Sequence, residues 1–246
     1  MAGDTRVAVV TGAAQGIGEA TARLLAGRGM SVVVVDRQEE AGVGVADGIC
    51  SAGGHARFVR CALTSHDEVE ALAASVSDEL GAVHALVNNA GWTPNERFLE
   101  QGPDVWGPIV AINYLAVLST CRLLVPLMPE GAAIVNVASD AARLGVPREA
   151  VYAGAKAAVI GFSKSLAVEL GDRRIRVNVV SPGTTLTPLV QDMLSEEQVE
   201  RRTRAIPLGR LAEPEDVAAV IGFLVDGTTY VTGQVVSVNG GSSRPG

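Results

Sequence analysis

Apolar residues in this chain gather in short runs separated by longer stretches of helical spacing. The runs fall at 7–10 (VAVV), 32–35, 56–60, 83–87, 132–137, 175–180 and 235–238. They are short, rich in β-branched side chains and often bounded by Gly, Pro or polar residues, as buried strands are. Between them, apolar positions recurring every three or four residues predict helices near 17–28, 38–52, 67–80, 104–127, 150–171 and 214–225. This alternation predicts the α/β class: a doubly wound parallel sheet of about seven strands with helices on both faces. No linker, repeat or low-complexity segment divides residues 1–246, which read as one domain. The alternation breaks once, at 186–212, where the charged stretch SEEQVERRTR lies between Pro188 and Pro207. An excursion at the carboxyl ends of strands is expected to serve as a substrate lid, or else to be a solvated helical hairpin.

The first strand runs directly into TGAAQGIG at 11–18, which opens the first helix. Gly12 suits a tight turn, Gly16 lets the backbone approach a pyrophosphate, and Gly18 allows close helix–strand packing. The free N–H groups and positive dipole end of the following helix suit phosphates. The spacing is G-x-x-x-G-x-G, and its place between strand and helix supports a dinucleotide-binding Rossmann fold. The second strand ends in Asp36, a candidate acceptor for the adenosine ribose hydroxyls that would repel a 2′-phosphate. The loop carries Ala14 and Gln15 and no basic residue, although Arg37 follows Asp36. NAD is therefore expected over NADP.

Bulk properties narrow the field further. The chain is 48% hydrophobic and 19% charged, as ordinary globular proteins are. A net charge of −7 argues against a nucleic-acid partner. Cys50, Cys61 and Cys121 are scattered, with neither disulfide nor metal spacing, and suit a reducing, cytoplasmic setting. His55, His66 and His84 are equally dispersed, and no metal site is expected. The first residues lack a signal-peptide layout, and no apolar run approaches the length of a membrane span.

Tyr152 and Lys156 stand four apart in YAGAK, on one face of the predicted helix, with Ser139 upstream. A free tyrosine has a pKa of about 10, and a neighbouring ammonium favours the phenolate. Ser139 is placed to hold the same substrate oxygen. Such a set can carry a proton to or from a carbonyl oxygen.

With these motifs in order, the chain resembles the short-chain dehydrogenase/reductase family over about residues 5–241. The resemblance rests on TGAAQGIG, NNAG at 88–91, Ser139, YAGAK at 152–156, SPGTTLT at 181–187, PLGRLAEPEDVA at 207–218 and YVTGQVVSVNGG at 230–241. It implies Tyr152 as general acid/base and Lys156 as the residue that lowers its pKa and binds the nicotinamide ribose. It implies Ser139 as the holder of the substrate oxygen and Asn113 as the fourth member, holding a water in a proton relay. Cofactor contacts are implied at Gly12, Gln15, Gly16, Ile17, Gly18, Asp36, Arg37, Ala62, Leu63, Asn89, Ala90, Gly91, Pro182, Gly183, Thr185 and Thr187. In oxidation the phenolate would take the hydroxyl proton while hydride leaves the carbon for the nicotinamide. A homotetramer built on the helices at 104–127 and 150–171 is also implied.

Two positions depart from the family pattern. Ala62 stands where an Asp usually meets the adenine amino group, so weaker cofactor binding is expected. Asn239 stands where Asp is common, with no clear functional meaning. For the substrate, SDAARLGVPREAVYAGAK at 139–156, with NNAGW at 88–92, resembles 2-hydroxycyclohexanecarboxyl-CoA dehydrogenases. Trp92 is a candidate wall for a ring, or packs under the lid. Arg143 and Arg148, with Arg201, Arg202 and Arg204, are candidates for CoA phosphates, or belong to a solvated face. A 3-oxoacyl-thioester reductase, a sugar, polyol or steroid alcohol dehydrogenase, and a non-enzymatic NAD sensor are the alternatives.

Overall fold

The computed structural model describes residues 6–243. Seven strands form one parallel sheet: β1 Val7–Thr11, β2 Ser31–Asp36, β3 His55–Arg60, β4 Ala85–Asn88, β5 Ala133–Val137, β6 Arg176–Pro182 and β7 Val235–Val238. Their order is β3-β2-β1-β4-β5-β6-β7. The chain winds outward from β1 to β3, then returns to place β4 on the other side of β1. The carboxyl ends of β1 and β4 therefore border the topological switch point, where ligands bind in open α/β sheets.

The alternation of side chains along each strand builds two cores. Val7, Val9, Val33, Val35, Leu86, Ile134 and Val177 face α3 (His66–Leu80), α5 (Ala116–Leu124) and α7 (Ala150–Glu169). Ala8, Val10, Val32, Val34, Val87, Val135 and Val180 face α1 (Gly16–Gly27), α2 (Glu39–Ser51) and α10 (Pro214–Asp226). Val32, Val33, Val34 and Val35 are all fully buried. Each such valine contributes roughly 1.5–3 kcal/mol of transfer free energy, which is why the strand reads as an unbroken apolar run.

The helix expected over 104–127 is broken. α4 (Pro103–Val110) contains Pro108 and passes into a π turn at Ala111–Leu115, then α5, then a 3-10 turn at Val125–Leu127. By length and composition this helical run, Pro103–Leu127, could cross a bilayer, which corrects the expectation that nothing approaches that length. Its buried side chains, Ile109, Asn113, Ala116, Val117, Thr120, Cys121 and Leu124, mark it as a helix resting on the sheet. A short α6 (Ala141–Leu144) follows β5 and was not expected. The excursion after β6 folds as α8 (Pro188–Met193) and α9 (Glu196–Ala205), the latter opened by a Ser195–Gln198 capping box. Its base is closed by an isolated parallel bridge between Thr185 and Ala212.

Candidate active site

The glycine loop is shaped by backbone demands that only glycine meets easily. Gly12 and Gly16 have φ of +62° and +57°. A Cβ on Gly12 would lie 2.8 Å from the Ala90 Cα, and one on Gly18 only 2.1 Å from the Gly12 carbonyl oxygen. The loop therefore packs directly on the segment after β4. Asn89 fastens the two together, its amide nitrogen donating to the carbonyls of Thr11 (3.1 Å) and Gly12 (3.0 Å). The Thr11 hydroxyl accepts from the backbone N–H groups of Asn89 and Ala90. Asp36, almost fully buried at the end of β2, accepts from the N–H groups of Ala14 (3.1 Å) and Gln38 (3.0 Å), one at each oxygen. Each oxygen keeps acceptor capacity for a ribose hydroxyl.

Tyr152 and Lys156 lie on one face of α7, as the spacing predicted. The Lys156 ammonium sits 5.9 Å from the Tyr152 ring centroid and donates to the carbonyl of Val137 on β5 at 2.8 Å. Burial pushes its pKa down to about 8. Burial also raises the Tyr152 phenol above its ordinary value, and Glu149 raises it further, while hydrogen bonding to Ser139 works in the opposite sense. Desolvation is the largest influence on the phenol, and Lys156 is not among the groups that shift it. Asn113 is fully buried in the π turn. Its amide nitrogen donates to the carbonyls of Trp92 (2.6 Å) and Ile109 (2.9 Å), and its oxygen accepts from the Trp92 N–H (3.2 Å). Gly91 lies between them, because a Cβ there would fall 2.7 Å from the Asn113 oxygen and 3.2 Å from the Lys156 nitrogen. Ser139, Tyr152, Lys156, Asn113 and Gly91 thus gather at the carboxyl end of the sheet.

The family described as enoyl-(acyl carrier protein) reductase matches this chain over residues 12–243. A short-chain dehydrogenase/reductase from Brucella melitensis, described as a glucose/ribitol dehydrogenase, superposes with a TM-score of 0.90 at 31% identity, covering 97% of each chain. This chain belongs to the short-chain dehydrogenase/reductase family. It is accordingly an oxidoreductase acting on CH–OH groups with a nicotinamide cofactor. A cis-4-hydroxycyclohexanecarboxylate dehydrogenase from Sinomonas cyclohexanicum is 41% identical over 240 residues, 96% of each chain. A cyclohexanol dehydrogenase from Acinetobacter is 37% identical over 241 residues, covering 96% of this chain and 94% of that one. A 3-oxoacyl-[acyl-carrier-protein] reductase from Synechocystis is 37% identical over 241 residues, 96% of each.

The remaining positions expected from the dehydrogenase pattern lie in the segments that follow β1, β2 and β3, and at and beyond the end of β6. Gln15 is exposed just before α1, and Ile17 is half-buried in its first turn. Pro182 and Thr185 are buried, Gly183 is half-buried, and Thr187 caps α8 through the N–H of Val190. A Cβ on Gly16 would lie 3.0 Å from the Thr187 methyl, so the segment after β6 closes over the glycine loop. Arg37 is exposed, and Leu63 is buried. The Ala62 N–H donates to Glu68, bringing a carboxylate beside the position where the family usually carries one.

The substrate candidates fare unevenly. The Trp92 backbone is fixed on Asn113, and its side chain is 38% exposed at the site's edge. Arg143 is held elsewhere, donating to Ser237 of β7 at 2.7 Å beside Ala157, Ile160 and Lys164, further along α7 than Tyr152. Arg148 is exposed, with a φ of +73°. On the excursion, Arg202 donates to Thr184 at 2.9 Å and Arg204 pairs with Glu200, while Arg201 is exposed.

Sequence reading missed several contributors. Val137 holds Lys156 through a carbonyl, which leaves no side-chain signature. Glu149, half-buried ahead of α7, has its pKa raised by burial and lowered by the Arg202 charge, and it in turn raises the Tyr152 phenol. A buried ladder runs from Thr120 to Asn88, Asn136 and Ser163 with links of 2.7, 2.8 and 2.8 Å, beneath the segment that carries Asn89. Asp140 follows Ser139 directly and belongs to no motif in the sequence.

Proposed function

We propose that this protein is an NAD-dependent dehydrogenase that interconverts a ring secondary alcohol and its ketone, with a carboxyl group or its CoA thioester on the ring. The observation that carries the chemistry is Tyr152 placed against Lys156 and hydrogen-bonded to Ser139. The glycine loop fits a dinucleotide, since its positive-φ turns and missing Cβ atoms leave a backbone cradle at the head of α1. Gly12, Gln15, Gly16, Ile17 and Gly18 would hold the pyrophosphate side, and Asp36 the adenosine ribose, with Arg37, Ala62 and Leu63 nearby. Asn89, Ala90 and Gly91 would close the other wall, and Pro182, Gly183, Thr185 and Thr187 would cover the nicotinamide end. When bound, the cofactor supplies hydride acceptance and return. Tyr152 exchanges the proton with the substrate oxygen, Ser139 orients that oxygen, and Lys156 offers positive charge and ribose contacts. Asn113 keeps the wall at Trp92 in place, next to the path along which a proton would reach solvent.

The ring reading draws on the local resemblance over 139–156 and on the two ring-alcohol relatives. Asp36, with no basic residue in the glycine loop, favours NAD over NADP, which separates this reading from an acyl-carrier-protein reductase. The excursion at 186–212, which carries Arg202 on α9, would act as the substrate lid, and Trp92 would offer a wall for the ring. A cytoplasmic homotetramer is the assembly we favour. Leu115 at the π turn and Val168 on α7 expose apolar side chains along the helices expected to meet.

The test is initial rates with NAD and NADP on 2-hydroxycyclohexanecarboxyl-CoA, cis-4-hydroxycyclohexanecarboxylate, cyclohexanol, a linear 3-hydroxyacyl thioester and a sugar alcohol. NAD-linked oxidation of a ring acid or ring thioester is the expected result. Turnover of the linear thioester alone, with NADP preferred, overturns it. Tyr152→Phe should cut turnover by roughly 10²–10⁴-fold while NAD binding persists.

A further inference from the structure

The Asp140 side chain is 6% exposed and lies one residue beyond Ser139. A buried carboxylate is costly unless hydrogen bonds replace its water. Here Oδ1 accepts from the Ser181 hydroxyl at 3.0 Å and, more weakly, from Ser237 at 3.5 Å. Oδ2 accepts from the Asn239 amide at 2.5 Å and the Ser243 hydroxyl at 2.7 Å. Arg143 donates to Ser237, which brings positive charge within one hydroxyl of the carboxylate. Asp140 stands at the N-terminus of α6 but makes no side-chain capping bond there, so helix capping does not account for it.

The backbone around it is fastened as well. The N–H groups of Ala138 and Asp140 donate to the carbonyls of Val180 (2.8 Å) and Pro182 (3.0 Å), one on each side of Ser139. The Asn239 amide has a defined direction. Its oxygen accepts from the Gly241 N–H at 2.9 Å, and its nitrogen faces Asp140. A Cβ on Gly183 would lie 2.9 Å from the Asn239 Cβ, so the turn after β6 rests directly on this residue. An aspartate at 239 would set two carboxylates at hydrogen-bonding distance in a buried place. The departure at 239 therefore belongs with the acid at 140.

We propose that Asp140 is a positioning residue whose carboxylate, clasped by Ser181, Asn239 and Ser243, locks the Ser139 loop, the Pro182–Gly183 turn and the C-terminal segment into one unit. The proposal rests on the reading of Ser139 as holder of the substrate oxygen.

The experiment compares the full-length wild-type protein with Asn239→Asp and with the swap Asp140→Asn/Asn239→Asp. It reads amide hydrogen exchange over 181–184 and 239–243, and kcat and KM on the best substrate of the panel. Asn239→Asp should speed exchange in both segments together and lower kcat by roughly 10- to 100-fold, the scale of a misplaced reacting group. The swap restores one donor and one carboxylate, and should return both readouts most of the way to wild type. If Asn239→Asp does not fold, Ser243→Ala should still speed exchange in both segments. Exchange that stays slow in the variants, or a swap as impaired as the single change, overturns the proposal. Full turnover by Tyr152→Phe would instead sink the catalytic reading, while the exchange measurements would still report on the clasp.

Discussion

Lys156 is held from behind: its ammonium donates to the carbonyl of Val137, 2.8 Å away on the neighbouring strand. One proton of the ammonium is committed there, which fixes the direction of the rest of the head. Two remain, and the proposed function assigns them to a ribose hydroxyl and to the Tyr152 side of the site. The strand thus sets the position of a residue that the helix only presents.

That burial has a consequence for stability. The Lys156 pKa falls from 10.5 to about 8 on folding. Because the folded value is depressed, the contribution is fully present above the unfolded value and is lost as pH falls through the folded one. The unfolding free energy of the wild type relative to Lys156→Met should fall by about 3 kcal/mol between pH near 10.5 and pH near 7.5, from a shift of roughly 2.5 units. Urea titrations of both proteins without cofactor measure it. A difference that stays flat over this range would show that Lys156 keeps its charge on folding.

Asn113 closes a break in its own helix, and removing the side chain should be felt at Trp92. Asn113→Ala loses three hydrogen bonds and leaves the carbonyls of Trp92 and Ile109 short of donors. A loss of about 2–4 kcal/mol is expected. Trp92 fluorescence, read in a Trp106→Phe background, should shift toward that of a fully solvated indole. An unchanged spectrum with unchanged stability would show that the π turn holds itself.

Asp36 braces the glycine loop through Ala14 and its own turn through Gln38, and the proposed NAD preference rests on it. Asp36→Ser should lower the ratio of kcat/KM with NAD to that with NADP by roughly 10- to 100-fold, the scale of one or two charge-assisted hydrogen bonds. Ala62→Asp should tighten NAD binding by no more than about fivefold, the worth of one hydrogen bond, because Glu68 already lies at that N–H. Steady-state kinetics and fluorescence titration check the pair.

At Gly18 the constraint is contact rather than conformation. A Cβ there would lie 2.1 Å from the Gly12 carbonyl oxygen and 2.7 Å from the Asn89 amide nitrogen. Gly18→Ala should force the loop away from the β4 end and weaken NAD binding at least about 100-fold, well beyond the cost of a surface substitution. Gly154→Ala, where nothing lies within 4 Å of the added atom, is the control and should bind NAD normally.

Much of this molecule was legible in one dimension because its signals are local. A run such as VVVV at 32–35 is apolar throughout, since both faces of a parallel strand are covered. Gly12 and Gly16 mark turns that need positive φ, and the four-residue gap between Tyr152 and Lys156 becomes one face of α7. These follow from the backbone period and the steric properties of single residues.

What the chain order could not express was decided by residues far apart in sequence meeting at the carboxyl end of the sheet. Asn113 reads as a polar residue inside a helix until the π turn brings it to the backbone of Trp92. The phenol of Tyr152 has its pKa raised because surrounding elements exclude water, a desolvation that spacing does not encode. Asp140 and Asn239 each look incidental alone, and only the pairing of β5 with β6 and β6 with β7 sets them at one site. By itself, the sequence determined the strands, the glycine turn and the Tyr–Lys face, each set by neighbours within a few residues. Only the tertiary structure decided the direction of Lys156, the desolvation of Tyr152 and the clasp at Asp140, because burial and charge depend on whichever distant residues displace the water.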